Sequence, residues 1–212
     1  MTANLDSYPV VPRRVRRLLE LLPEFIPEYA TVLDVGCGDG LIAKLLAKSR
    51  PDISVHGVDL LVRQNAQIPV TEFDGRSLPF PDSSFDVVMF VDVIHRAADP
   101  EALLREASRV SRQRVVIKGH NRNGLFAGAT LRLMDRVENA HRGVGLPYHY
   151  WSRHQWRRVF PQVSLIPGKY RESLRLYPWP ASLMFGRSLH FLMALTPLHV
   201  AQPAIDTPAS KP

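Results

Sequence analysis

The chain is poor in residues that would staple it or anchor it in a membrane. It has 1 cysteine in 212 residues, which excludes an internal disulfide framework and fits a reducing compartment. No cluster of cysteine and histidine has zinc-ligand spacing. No apolar leader opens the sequence, so secretion is not expected and the cytoplasm is the expected location. Residues 181–196 are apolar but fall short of the ~20 residues of a membrane span. They contain Arg187 and His190 and lie between Pro180 and Pro197. A core strand is the expected state of this stretch, with peripheral membrane contact left open. Acids are also outnumbered, giving a net charge of +7. Such an excess can attract nucleic acid or an anionic membrane, although solvated surface arginines are its commoner meaning.

What is present is an ordinary globular composition, 45% hydrophobic and 22% charged, in a length that suits one good-sized α/β domain. Its centre is Thr31-Val32-Leu33-Asp34-Val35-Gly36-Cys37-Gly38-Asp39-Gly40. The β-branched run predicts a buried strand. A glycine turn follows, then a helical pattern from Leu41 to Ser49. Strand, glycine turn and helix together make a nucleotide site in α/β sheets. The dinucleotide spacing G-x-G-x-x-G fails, because Leu41 stands where its third glycine would fall. Asp34 precedes the turn instead, where a carboxylate would repel a pyrophosphate and suit a cationic amine or sulfonium. Gly36 and Gly38 let the backbone approach a ligand closely, and a side chain at Gly36 is expected to fill the ligand's space.

Ile53 to Leu60 reads as a second strand. It carries Asp59 at its end, where an acid can accept hydrogen bonds from a ribose diol. Val70 to Phe73 is a short third strand, followed by Asp74-Gly75. Phe85 to Ile94 is nearly all apolar, as a central strand buried on both faces should be. Asp92 and His95 lie at its ligand-binding end. Asp99-Pro100-Glu101 has the signature of a helix start, with Leu103, Ala107 and Val110 inward. Arg114 to Lys118 is a fifth strand running to Gly119-His120. This alternation predicts a doubly wound parallel sheet. Before it, Arg13 opens an amphipathic helix whose RRVRR run is expected to form the wet face. After it, Leu125 to Asn139 is helical, Gly143 to Trp151 is rich in glycine and aromatics, and Ser152 caps a short helix. Val163 to Ile166 and Leu189 to Leu195 are the last strand candidates. The expected organisation is a loose arm over 1–12, one domain over 13–200 and a disordered tail over 201–212.

Asp34-Val35-Gly36-Cys37-Gly38-Asp39-Gly40 resembles motif I of the class I S-adenosylmethionine-dependent methyltransferases (the type 11, UbiE-like domain). Leu78-Pro79-Phe80-Pro81-Asp82-Ser83-Ser84-Phe85-Asp86 is similar to a second run of that family. The resemblance covers residues 31 to 120 closely. It implies a Rossmann-like, mostly parallel sheet with helices on both faces and one antiparallel strand near the C-terminus. It also implies methyl transfer from S-adenosylmethionine, releasing S-adenosylhomocysteine. By the same resemblance, Asp34, Gly36, Gly38, Asp59, Leu60, Asp74, Gly75 and Asp92 are cofactor-binding candidates, with Asp74 meeting the adenine amine, and residues 121–150 form a lid over the acceptor. His95 and His120 are the leading catalytic candidates, since each follows a strand end and a base must come within hydrogen-bond reach of the acceptor. His149 and Asp92 stand behind them. Relatives commonly have a histidine where this chain has Arg96. No N/D-P-P-Y/F run follows the fourth strand, and no RNA-binding module is visible. A small-molecule or lipid-like acceptor is therefore expected. The alternatives are RNA or protein methylation using Arg13–Arg17 and Arg153–Arg158, and a non-catalytic module that only binds the cofactor.

Overall fold

A computed structural model describes residues 11–122, 127–132, 149–182 and 189–201. Most of the expected arm, the terminal tail beyond Ala201, most of the 121–150 lid and residues 183–188 of the apolar stretch lie outside the described residues.

Seven strands form one sheet in the order β3-β2-β1-β4-β5-β7-β6. They are β1 Thr31–Val35, β2 Ser54–Asp59, β3 Val70–Glu72, β4 Phe85–Val91, β5 Ser111–His120, β6 Leu165–Glu172 and β7 His190–Pro197. The neighbouring pairs from β3 to β5 are parallel, and β7 runs antiparallel to both β5 and β6. The helices include α1 (Arg13–Leu21), α2 (Leu41–Ser49), α3 (Pro100–Val110), α4 (Arg153–Gln162) and α5 (Leu198–Ala201), with short 3-10 turns at Leu22–Phe25 and Ile94–Arg96 and a helical segment at 127–132. The expected doubly wound sheet with one antiparallel strand is thus present. Among the described residues no helix is long and apolar enough to cross a membrane.

Strand residues alternate between two cores, because successive side chains leave a strand on opposite faces. Leu33, Val35, Val88, Phe90, Val115 and Ile117 meet Leu103 and Ala107 of α3 and Trp156 and Phe160 of α4. Val32, Val87, Met89 and Val116 meet Leu18 and Leu19 of α1 and Leu45 and Leu46 of α2. Local chemistry sets the helix starts. The Asp99 carboxylate accepts from Ala102 N and Pro100 takes the first turn of α3. Ser152 and Gln155 form a reciprocal capping box on α4.

The second family-like run turns out to be structural. Arg109 of α3 donates to the carbonyls of Leu78 and Phe80 and pairs with Asp82 and Glu106. Glu106 accepts in turn from Leu78 N at 2.8 Å. Asp86 accepts from Thr31 N and Oγ1. These bonds pin the loop to α3 and tie the start of β4 to β1, so the strands hold a fixed register beneath the cleft.

The sixth strand departs from expectation. It spans Leu165–Glu172 rather than 163–166. As an edge strand it is largely exposed, so its sequence carries no apolar alternation, and Pro167-Gly168 coincides with a shift in register.

Candidate functional site

The carboxyl ends of β1, β2 and β4 open onto a cleft of about 550 Å³, at the place where ligands bind in sheets of this kind. Its lining includes Gly36, Cys37, Gly38 and Asp39 from the first turn, Asp59 and Leu60 from the end of β2, and Phe73, Asp74 and Gly75 after β3. Asp92 and Val93 beyond β4, with Arg14 of α1 and Arg96, close it. The structure therefore brings Gly36, Gly38, Asp59, Leu60, Asp74, Gly75 and Asp92 together around one space. Asp34, His95 and His120 are not among its lining residues.

Asp59 faces the glycine turn directly. Its Oδ2 accepts from Gly38 N at 2.8 Å and its Oδ1 from Leu61 N at 3.3 Å. The Gly36 and Cys37 amides are already donated to Val58 O, so the turn is built onto β2 before any ligand arrives. Gly36 has φ +71°, and a Cβ there would lie 2.6 Å from Val93 Cγ2. This corrects the expectation for Gly36: the glycine keeps the turn against Val93, and the space a side chain would invade is occupied by protein. Asp34 sits beneath the turn at 3% exposure. Burial, aided by the Asp59 charge, pushes its carboxyl up to about 7. Asp74 Oδ1 accepts from the amides of Arg76 and Ser77, both at 2.8 Å. These bonds hold its carboxyl below the usual range and fix the bend after β3.

Asp92 meets two cations. It has a left-handed backbone, φ +60°. Its carboxylate accepts from Lys118 Nζ and from Arg14 Nη2. Burial alone would raise the Asp92 carboxyl, but the charges of Lys118 and Arg14 hold it well below the ordinary carboxylate range. Lys118 is itself buried and stands 3.3 Å from His190 Nδ1. Lys118 and Arg14 were missed by sequence reasoning. A lysine inside the apolar run Val115-Val116-Ile117-Lys118 was the available signal for the first. Arg14 reads as part of a solvated run, and only the fold shows that it turns inward.

His95 and His120 form a wall behind Asp92. The His95 ring stacks on Tyr150 at 5.2 Å and meets the His120 ring edge-on at 4.8 Å. His120 Nε2 lies 3.5 Å from Asp92 Oδ1. Burial drives the His120 imidazole well below its usual value, and the Lys118 charge adds to this, so the ring is neutral.

The cleft mixes four acids (Asp39, Asp59, Asp74, Asp92) with four arginines (Arg14, Arg63, Arg76, Arg96) and the apolar Leu60, Phe73 and Leu103. That donor set suits a ligand with a ribose diol, an apolar ring system and charges of both signs.

A strand order of 3-2-1-4-5-7-6 with a polar cleft over the first glycine turn defines a Rossmann-like fold of the class I methyltransferase kind. Residues 33–117 match the family described as "Methyltransferase domain". Over that stretch the chain is similar to methyltransferase domains. It is 32% identical over 106 residues to the demethylmenaquinone methyltransferase of Thermotoga maritima, covering 47% of this chain and 45% of that protein. It is 29% identical over 122 residues to the 27-O-demethylrifamycin SV methyltransferase of Amycolatopsis mediterranei, covering 50% and 44%. The chain therefore spans less than half the length of these relatives. Among solved structures it resembles a chain from the complex between the Haloferax volcanii Trm112 methyltransferase activator and a methyltransferase, with TM-score 0.65, 19% identity and coverage of 88% and 89%. It also resembles the 1,6-didemethyltoxoflavin-N1-methyltransferase of Burkholderia thailandensis, with TM-score 0.59, 14% identity and coverage of 87% and 77%. At these identities the likeness is one of fold.

Proposed function

We propose that the chain transfers a methyl group from S-adenosylmethionine to a small-molecule or lipid-like acceptor. The observation that carries this reading is Asp59, whose carboxylate stands at the end of β2, bonded to Gly38 N of the glycine turn and lining the cleft beside it. In this reading Asp59 takes the ribose diol, Leu60 and Phe73 flank the adenine, and Asp74 and Gly75 meet its amine. Gly36 and Gly38 admit the amino-acid end beside Asp92, with buried Asp34 supporting the turn from below. The cofactor supplies an already activated methyl, so the protein's main task is alignment, which is a large rate term. Asp92, clamped by Lys118 and Arg14, is a fixed polar wall and a poor base. His95 and His120 remain the catalytic candidates on the acceptor side. In this reading they would help as positioning residues, His120 through Asp92 and His95 through Tyr150.

The acceptor class is supported by the relatives, two of which act on demethylmenaquinone and a demethylrifamycin according to their names. A third, 37% identical over 94 residues, is a fatty-acid O-methyltransferase of Mycolicibacterium smegmatis. Tyr150, stacked on His95, and Trp151, which lines a neighbouring hollow with it, suit an apolar acceptor.

The test has two parts. Calorimetric titration with S-adenosylhomocysteine should show binding at one site per chain. Incubation with methyl-labelled cofactor and separated lipid, small-molecule, RNA and protein fractions should label the lipid or small-molecule fraction. Label confined to RNA or protein would overturn the acceptor class. Absence of S-adenosylhomocysteine binding would overturn the whole reading.

A further inference from the structure

A second concave site lies on the other side of α1 from the cofactor cleft. Its lining includes Arg13, Arg16, Arg17 and Arg175, in a cavity of about 550 Å³. Arg14, on the same turn of α1, faces the cleft instead, so one helix width of roughly 10 Å separates the two spaces. We propose that this arginine cavity binds a phosphate group.

Two separate chain segments build it. Residues 173–176 follow β6, with Leu174 and Leu176 almost fully buried in the α1 core and Arg175 exposed between them. Arg175 has φ +52° and Ser173 φ +54°. That conformation is costly for residues with a Cβ, and the two buried leucines impose it, so Arg175 is aimed by the core. Arg17 is fixed by donating to Leu174 O at 3.1 Å and by pairing with Glu20, which also cancels the one acid in the lining. Arg13, Arg16 and Arg175 form no ion pair among the described residues.

The charge placement itself calls for an anion. Four arginines fall within the first five residues of α1, and its first turn contains no acid; Arg14 is paired with Asp92 and Arg17 with Glu20, so the uncompensated charges are Arg13, Arg16 and the facing Arg175. Cations at this end oppose the helix dipole, and like charges this close repel one another. A phosphate group removes both penalties, and the planar donors of arginine match its oxygens in paired hydrogen bonds. The solvated-face reading of the RRVRR run therefore holds neither for Arg14, which clamps Asp92, nor for Arg17, which is tied to Leu174.

Phosphate could reach this site as a free ion or as a lipid headgroup, and two arms of one experiment separate these sources. The full chain is titrated with inorganic phosphate by calorimetry and is co-sedimented with vesicles of phosphatidylglycerol and phosphatidylcholine at low salt. Binding in either arm, weakened by salt, is expected to fall by about tenfold or more in Arg13→Gln/Arg16→Gln and in Arg175→Gln. The control Arg105→Gln/Arg158→Gln, which loses the same charge as the first variant at exposed positions elsewhere, should bind like the parent. Phosphate binding without vesicle binding identifies a soluble phosphate. Vesicle binding competed by inorganic phosphate identifies a headgroup. The proposal is overturned if neither probe binds, or if the control loses as much binding as the site variants at equal melting temperature.

Discussion

Lys118 on β5 and Asp92 at the end of β4 form an ion pair that is buried at the inner wall of the cleft. Removing one partner from a buried pair strands the other charge, at a cost of about 3–5 kcal/mol. Lys118→Met should therefore lower stability by about that much in urea titration. Arg14→Gln should cost less, because Arg14 is 28% exposed and water can replace it. The sign with pH follows from the depressed Asp92 carboxyl: its contribution is complete above its unfolded value of about 4 and is lost as pH falls below that. The Lys118→Met variant should show a weaker loss of stability in acid than the parent. An identical acid profile would mean that Lys118 does not hold Asp92 ionised.

Asp34 is the opposite case. Burial raises its folded carboxyl to about 7, against about 4 unfolded. A raised acid favours folding below the unfolded value, and that benefit is lost as pH rises through the folded one. The parent should lose stability between about pH 4 and pH 7 relative to Asp34→Asn, whose side chain does not titrate. Urea midpoints measured across that interval check it. Parallel curves would show that Asp34 is ionised in the folded protein throughout.

What the sequence made legible was local. The helix at Asp99-Pro100-Glu101 could be read because its cap, its first-turn proline and its acid lie side by side. The strand, turn and helix around Gly36 could be read because an apolar run changes abruptly to spaced glycines. The unread features are contacts between distant positions. Arg14 meets Asp92 across 78 residues and Lys118 meets it across 26, and no window of the sequence contains both partners. The edge strand β6 was misplaced for a different reason. Hydrogen bonding to β7 holds it, and only its first residue is fully buried, so there was little apolar periodicity to find.

Asp59 has two tasks, and its variants should separate them. Asp59→Ala removes both the acceptor of Gly38 N and the proposed partner of the ribose diol. Affinity for S-adenosylhomocysteine should fall by about 1–3 kcal/mol, the cost of leaving donors unpaired, and the apo protein should melt lower. Asp59→Asn keeps one carbonyl oxygen for Gly38 N but loses the charge and one acceptor. Its apo stability should stay nearer the parent while its affinity still drops. Unchanged affinity in both variants would remove Asp59 from the binding site.

Gly36 and Gly38 share a left-handed backbone, with φ +71° and +64°, yet they should respond differently to a methyl group. At Gly38 the nearest atom to an added Cβ is Arg63 Nη2 at 3.9 Å, so Gly38→Ala should cost only the conformational penalty, about 1–2 kcal/mol. At Gly36 the added Cβ would sit 2.6 Å from Val93 Cγ2 and 2.9 Å from Cγ1. Val93 packs against the main core, so it has little freedom to withdraw. Gly36→Ala should therefore cost distinctly more than Gly38→Ala in urea titration. Adding Val93→Ala should recover the excess but not the conformational part, because a smaller neighbour relieves crowding without changing φ. Equal losses at the two glycines, or no recovery in the double variant, would show that Val93 does not set the shape of the turn.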